Sequence, residues 1–143
     1  MTSIDIEGKP SFLDTNILLY SIDGRDKMKQ EKARDLIRDL LGKGTPVIST
    51  QVLMEFYHAS ISRLKVDKID AKYFVERFSK MQVVTVDTTI IRRAIDTGIL
   101  SQLSIWDALI VSAAEYAKCP LLITEDLNDG QIVNGVKIVN PFK

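Results

Sequence analysis

The chain has one cysteine and one histidine in 143 residues, and its nineteen lysines and arginines are matched by nineteen aspartates and glutamates. A lone cysteine cannot form an internal disulfide. The apolar setting of Cys119 in AEYAKCPLLI reads as a buried thiol between a helix and a strand, without the electropositive neighbours that activate a nucleophilic sulfur. No serine, histidine and acid set presents itself around His58, which reads as a member of a polar helix strip rather than an acid or base. With zero formal net charge, no global field draws the protein to nucleic acid or membrane, so any polyanion contact must come from local basic patches or from metal. No apolar run approaches the ~20 residues needed to span a bilayer. The opening MTSIDIEGKP carries two acids and reads as neither a secretory signal nor a membrane anchor. The expectation is a protein of a reducing cytoplasm with no membrane association.

What is present is a good core. The sequence is 45% hydrophobic, enough for one ordinary globular domain, and no repeat, low-complexity tract or linker divides residues 1–143. Short β-branched runs alternate with helical stretches. Strands are expected at residues 11–14, 47–48, 83–86, 121–124 and 136–139. Between them fall a helix opened by Thr15 or Asn16, one over 28–41 ended by a left-handed Gly42, and one capped by Ser49 or Thr50 and running to about 63. Further helices are expected over 70–80, 88–100 and 105–118, the last apolar all round and therefore buried. This alternation predicts an α/β fold, a mostly parallel central sheet of about five short strands flanked by helices. Ligands collect outside the carboxyl ends of the strands in such sheets.

Four acids stand beside apolar runs: Asp14 in SFLDTNILLY, Glu55 in STQVLMEFYHAS, Asp107 in SIWDALIVSAA and Asp126 in LLITEDLNDG. A carboxylate left charged and alone in a low-dielectric interior costs several kcal/mol, so such a group is paired, protonated or bound to a cation. Each has a structural alternative. Asp14 could cap the first helix, although Thr15 and Asn16 are also available for that. Glu55 shares a polar strip with Gln51, His58 and Ser62 that is either a solvated face or, flanked by Val52, Met54, Ala59 and Ile61, the wall of a cleft. Ser104 to Asp107 fits a capping box, yet the apolar neighbours Ile105, Trp106, Ala108 and Leu109 leave Asp107 no wet face, so it should have a specific partner. Asp126 lies in a loop where Asp, Asn and Gly form turns, and Glu125 or Asp129 could take its place as a ligand. Together the four suggest one acidic pocket assembled by folding. Hard cations such as Mg²⁺ or Mn²⁺ take oxygen ligands of this kind, and two such ions can drive phosphodiester hydrolysis.

Taken in order, LDTNILLY, QVLMEF, WDALIVSAA, LLITEDLNDGQ and the closing NPF make the chain resemble the PIN-domain family, and within it the VapC-type toxin ribonucleases of toxin-antitoxin pairs. The resemblance covers nearly the whole chain. It implies that Asp14, Glu55, Asp107 and Asp126 bind one or two Mg²⁺ or Mn²⁺ ions for metal-assisted cleavage of RNA. It places Asn16 and Thr124 as supporting polar groups and Asp129 as a possible extra acid. It also implies a homodimer and a cognate antitoxin protein. Backbone contacts to RNA would fall to basic residues near the rim, with Arg25, Lys27 and Lys29, then Arg63, Lys65 and Lys68, then Arg92 and Arg93, as candidates that are also ordinary surface charges.

Other functions fit less well. A phosphate-accepting receiver module needs an acidic pair at the first strand and a lysine ending the last, whereas Lys137 begins its strand. An aspartyl phosphatase wants Asp-x-Asp where this chain has Asp14-Thr15-Asn16. A module that keeps the fold and metal but binds without cutting, and a housekeeping RNA-processing nuclease, stay open alternatives.

Overall fold

The computed structural model describes residues 4–143. One six-stranded sheet is formed by β1 (Pro10–Leu13), β2 (Thr45–Ser49), β3 (Gln82–Val84), β4 (Leu121–Ile123), β5 (Ile132–Val133) and β6 (Val136–Val139), in the spatial order β3-β2-β1-β4-β6-β5. All neighbours run parallel except β5 against β6. Six helices intervene: α1 (Thr15–Ile22), α2 (Lys27–Lys43), α3 (Thr50–Ser62), α4 (Lys68–Phe78), α5 (Thr88–Ser101) and α6 (Ile105–Tyr116). No single helix among the described residues is long and apolar enough to cross a bilayer.

The inner strands carry continuous apolar runs because both faces of a parallel sheet are covered. Phe12, Leu13, Val47, Ile48, Leu122, Ile123 and Ile138 are fully buried, packed with Ile17, Leu18, Val52 and Phe56 from the helices. As its composition requires, α6 buries every residue from Ala108 to Ala114. Phe56 anchors α4 through edge-to-face contacts with Phe74 and Phe78, at centroid distances of 6.4 and 5.1 Å.

Three expectations are corrected. The sixth strand, β5, was hidden in the acidic loop; only two residues long, it pairs Val133 with Val136 across Asn134-Gly135. Both turn residues have positive φ, 50° and 81°, which Asn and Gly tolerate, and this is the turn that closes a two-residue hairpin. Gly42 does not end α2. The helix runs to Lys43, and Gly44 follows with φ −133°, required not for handedness but for space: a Cβ there would stand 2.8 Å from the Ile6 carbonyl oxygen. Finally, Asp14 itself caps α1, its Oδ1 accepting from Thr15 N at 2.7 Å, in place of Thr15 or Asn16.

The chain steps from β1 to β2 and β3 on one side, then crosses to place β4 on the other side of β1. The carboxyl ends of β1 and β4 therefore flank the point where strand order reverses, the place where sheets of this kind open a crevice.

Candidate active site

At that crevice lies a cleft of about 770 Å³ whose walls include Asp14, Glu55, Asp107 and Asp126. Four separate elements deliver them: the end of β1, the middle of α3, the first turn of α6 and the loop after β4. Asn16 and Thr124 tie two of these together. Thr124 Oγ1 donates to Asp14 Oδ2 at 2.8 Å and accepts from the backbone N of Asp126 at 3.0 Å. Asn16 Nδ2 donates to Asp126 Oδ2 at 3.0 Å, and its Oδ1 accepts from Glu125 N at 3.3 Å. Thr15 Oγ1 reaches across to Glu55 Oε1 at 3.0 Å. Three of the four acids are thus each held by a neutral donor that leaves accepting capacity to spare. Ser104 Oγ caps α6 by accepting from Asp107 N at 3.2 Å, while among the described residues the Asp107 carboxylate takes no hydrogen bond in return.

Asp14 is 6% exposed. Burial pushes its carboxyl up to about 6; the hydrogen bonds from Thr124 and Thr15 pull it down, and the negative charges of Asp126 and Glu55 push it further up. The acids therefore feel one another across the cleft. A divalent cation would relieve that repulsion, and the donors offered are all hard oxygens, which suits Mg²⁺, Mn²⁺ or Ca²⁺ and not a soft metal. Among the described residues no three acidic, histidine or cysteine side chains stand close enough to form a ready cation cage. The four carboxylates line the same cleft, and they stand further apart than a ready cage requires.

Other expected site residues are placed differently. Asp129 is exposed and not in the cleft wall; its Oδ1 accepts from Asn140 N at 2.8 Å and so fastens the closing NPF turn. Arg25 and Arg63 do line the cleft, but Lys27, Lys65 and Lys68 do not. Arg25 is bidentate with Asp23, at 2.9 Å for each bond. Lys29 is internally engaged. Its ammonium bonds the Glu125 carboxylate and, at 3.2 Å, Tyr20 Oη, and it lies over the rings of Tyr20 and Phe142. Those bonds, first of all the one from Glu125, raise Lys29 to about 12, and in spite of burial they hold Glu125 below the usual carboxylate range. Glu125 also lines the cleft but is committed to its ion pair with Lys29, which leaves Asp126 as the loop acid turned to Asn16. Arg93 pairs with Glu115 at 3.1 Å, away from the cleft.

The polar strip of Gln51, Glu55, His58 and Ser62 lines the cleft and is not a solvated face, while Trp106 was not expected there. Gln51 stands one turn before Glu55 on the same helix strip, and its Nε2 donates to the Trp106 carbonyl at 3.2 Å. Trp106, expected in the core, is 62% exposed and Ile105 37% exposed. The apolar run of α6 becomes buried only from Ala108, so the first turn of the helix projects into the cleft.

The fold and site are those of an α/β protein with an acidic cleft at its switch point, and comparison with known proteins gives it a family. Residues 11–129 match the model of the PIN domain. The chain belongs to the PIN-domain family, whose members include nucleases. Among curated protein sequences none matches. Among solved structures, the chain is similar to one from a toxin-antitoxin complex of Klebsiella pneumoniae, with TM-score 0.70 and 20% identity over 93% of this chain and 98% of that one. It is also similar to a chain of VapBC2 from Rickettsia felis bound to a promoter DNA fragment, with TM-score 0.66 and 20% identity over 90% and 96%. A third is VapC20 of Mycobacterium tuberculosis, a toxin that cleaves the sarcin-ricin loop, with TM-score 0.63 and 15% identity over 78% and 86%. At these identities the likeness is one of fold.

Proposed function

We propose that the protein is a divalent-metal-dependent ribonuclease of the VapC type, the toxin half of a toxin-antitoxin pair, acting in the cytoplasm. The observation that carries this reading is the delivery of Asp14, Glu55, Asp107 and Asp126 from four elements to one cleft at the carboxyl edge of a PIN-domain sheet. Those four side chains would hold one or two Mg²⁺ or Mn²⁺ ions. When bound, such ions supply Lewis-acid activation of water and neutralise charge at a scissile phosphate.

The chain's own groups prepare for this. Thr124 and Asn16 orient Asp14 and Asp126, and Thr15 orients Glu55, so that the carboxylates lose little freedom on taking a cation. Arg63 at the cleft wall offers a cationic group to the backbone of an RNA strand, and Arg25 does so while paired to Asp23. The walls exclude part of the bulk solvent and fix the phosphate's approach, which is where positioning contributes to rate.

Two apolar faces support the protein partners. Leu53, Met54, Tyr57 and Val75 line a hollow of about 610 Å³ between α3 and α4, with Lys72 and Glu76 beside them. Ile91, Ile95 and Ile99 form a row with four-residue spacing on α5, and they are 39, 47 and 72% exposed. An antitoxin segment and a second copy of the chain are the occupants that the toxin reading supplies for such surfaces.

The test is incubation of a mixed tRNA and ribosomal RNA pool with purified protein, in Mg²⁺, in Mn²⁺ and in EDTA, beside Asp14→Asn and Asp107→Asn. Discrete fragments that need metal and disappear in both variants are expected. RNA bound but left intact by folded, antitoxin-free protein would favour a binding module instead.

A further inference from the structure

Trp106 is the only tryptophan in the chain, and it sits in the wall of the acidic cleft immediately before Asp107 with 62% of its surface exposed. Leaving an indole in water forgoes one of the largest burial gains available to any side chain. Among the described residues no aromatic ring and no cation stacks on it, so its π-face is open. Its backbone is nonetheless held. Ser104 caps the helix it opens, and its carbonyl accepts from Gln51 Nε2 at 3.2 Å. Gln51 is itself 9% exposed, lines the same cleft, and leaves its Oε1 buried with no partner.

Resting on the ribonuclease reading above, we propose that Trp106 is the base-stacking platform of the active site: an unpaired nucleobase next to the scissile phosphate lies against the indole, with Gln51 positioning the tryptophan. The geometry favours RNA over a protein partner because the indole shares a wall with the four acids instead of lying on the apolar row of α5. A base can stack there only if it is not already paired inside a helix, so the platform selects loops and single strands over duplex. Stacking is tolerant of base identity, so Trp106 sets the structural class of the target and not its sequence. Gln51 acts through the tryptophan and is a positioning residue.

Because the tryptophan is unique, its fluorescence reports on this site alone. The experiment titrates the full chain, with Ca²⁺ present, against a short single-stranded RNA of mixed sequence, a duplex of the same strand, and an abasic ribose-phosphate oligomer of equal length. Anisotropy of labelled RNA follows binding by Trp106→Ala, Trp106→Phe and Gln51→Leu, and steady-state cleavage in Mg²⁺ or Mn²⁺ gives KM and kcat. The expected result is quenching by the single strand and not by the abasic oligomer. Trp106→Ala should bind roughly 5- to 150-fold more weakly, a loss felt more in KM than in kcat, with substantial recovery in Trp106→Phe. Gln51→Leu should fall between them. If the wild type cleaves and binds RNA while its fluorescence is unchanged and Trp106→Ala matches it, the platform is refuted and the nuclease reading stands. Fluorescence that follows protein concentration and ignores RNA would also refute it, by placing the indole in a protein interface. Protein that neither binds nor cleaves RNA overturns both readings.

Discussion

Thr124 donates its hydroxyl to Asp14 at 2.8 Å from the neighbouring strand end, and the same oxygen accepts from the backbone N of Asp126. One hydroxyl thereby sets the spacing of two acids far apart in sequence. Thr124→Val keeps the shape and deletes this link, leaving a buried carboxylate with one donor fewer. The expected cost is about 1–3 kcal/mol of stability, read from urea denaturation, together with weaker Mn²⁺ binding by calorimetry. Thr124→Ser should recover most of both, since the hydroxyl carries the effect.

Asp14 makes stability depend on pH in an unusual direction. Its folded pKa of about 6 lies above its ordinary 3.8, so the folded state holds this proton more tightly than the unfolded chain. The resulting stabilisation is complete below the ordinary value and disappears as pH rises through about 6, an amount on the order of 3 kcal/mol. Lowered acids such as Asp23 and Glu125 pull the other way, so the informative quantity is the difference from Asp14→Asn. In EDTA that variant should gain on the wild type between pH 4.5 and 7, and Mg²⁺ at pH 7 should return the advantage to the wild type. Urea midpoints at the two pH values measure this.

Lys29→Met should release Glu125 and loosen the C-terminal turn, because the lysine bonds Glu125 and packs over Phe142. Both charges are about one-third exposed or less, so screening keeps the expected loss to about 1 kcal/mol. A double-mutant cycle with Glu125→Gln should return most of that as coupling energy. A residue bound mainly to RNA would instead show no coupling and a large loss of RNA affinity.

Burial pushes the Cys119 thiol up to about 12. Iodoacetamide at neutral pH should leave folded protein unmodified and active, with rapid alkylation only in denaturant. Mass spectrometry under the two conditions gives the answer.

The fold and the site were legible to different depths. Strand and helix alternation was written in β-branched runs and i, i+3, i+4 spacing, and with it the carboxyl edge of the sheet as the place for a site, whereas the switch point between β1 and β4 emerged only with the strand order. Features decided by tertiary contact were not legible. Gly44 is small because the Ile6 and Lys9 carbonyls crowd it, and no local pattern marks that approach. The Asn134-Gly135 hairpin did carry a local signal, but its strands were too short to look like strands. Trp106 reads as core by residue type, and only the position of the α6 first turn beside α3 puts it at a cleft. Likewise Lys29 reads as a free surface charge and Asp129 as a possible site acid until Glu125 and the Asn140 amide are brought against them by folding.

The central claim is that four carboxylates from four elements act as one metal centre. Its most direct test is titration of Mn²⁺ into the wild type and into Asp14→Asn, Glu55→Gln, Asp107→Asn and Asp126→Asn, followed by RNA cleavage with the same samples. The expected result is saturable Mn²⁺ binding that is weakened or lost in every variant, with cleavage falling in parallel. Folded Asp107→Asn or Glu55→Gln protein that binds Mn²⁺ as the wild type does and still cuts RNA would contradict it.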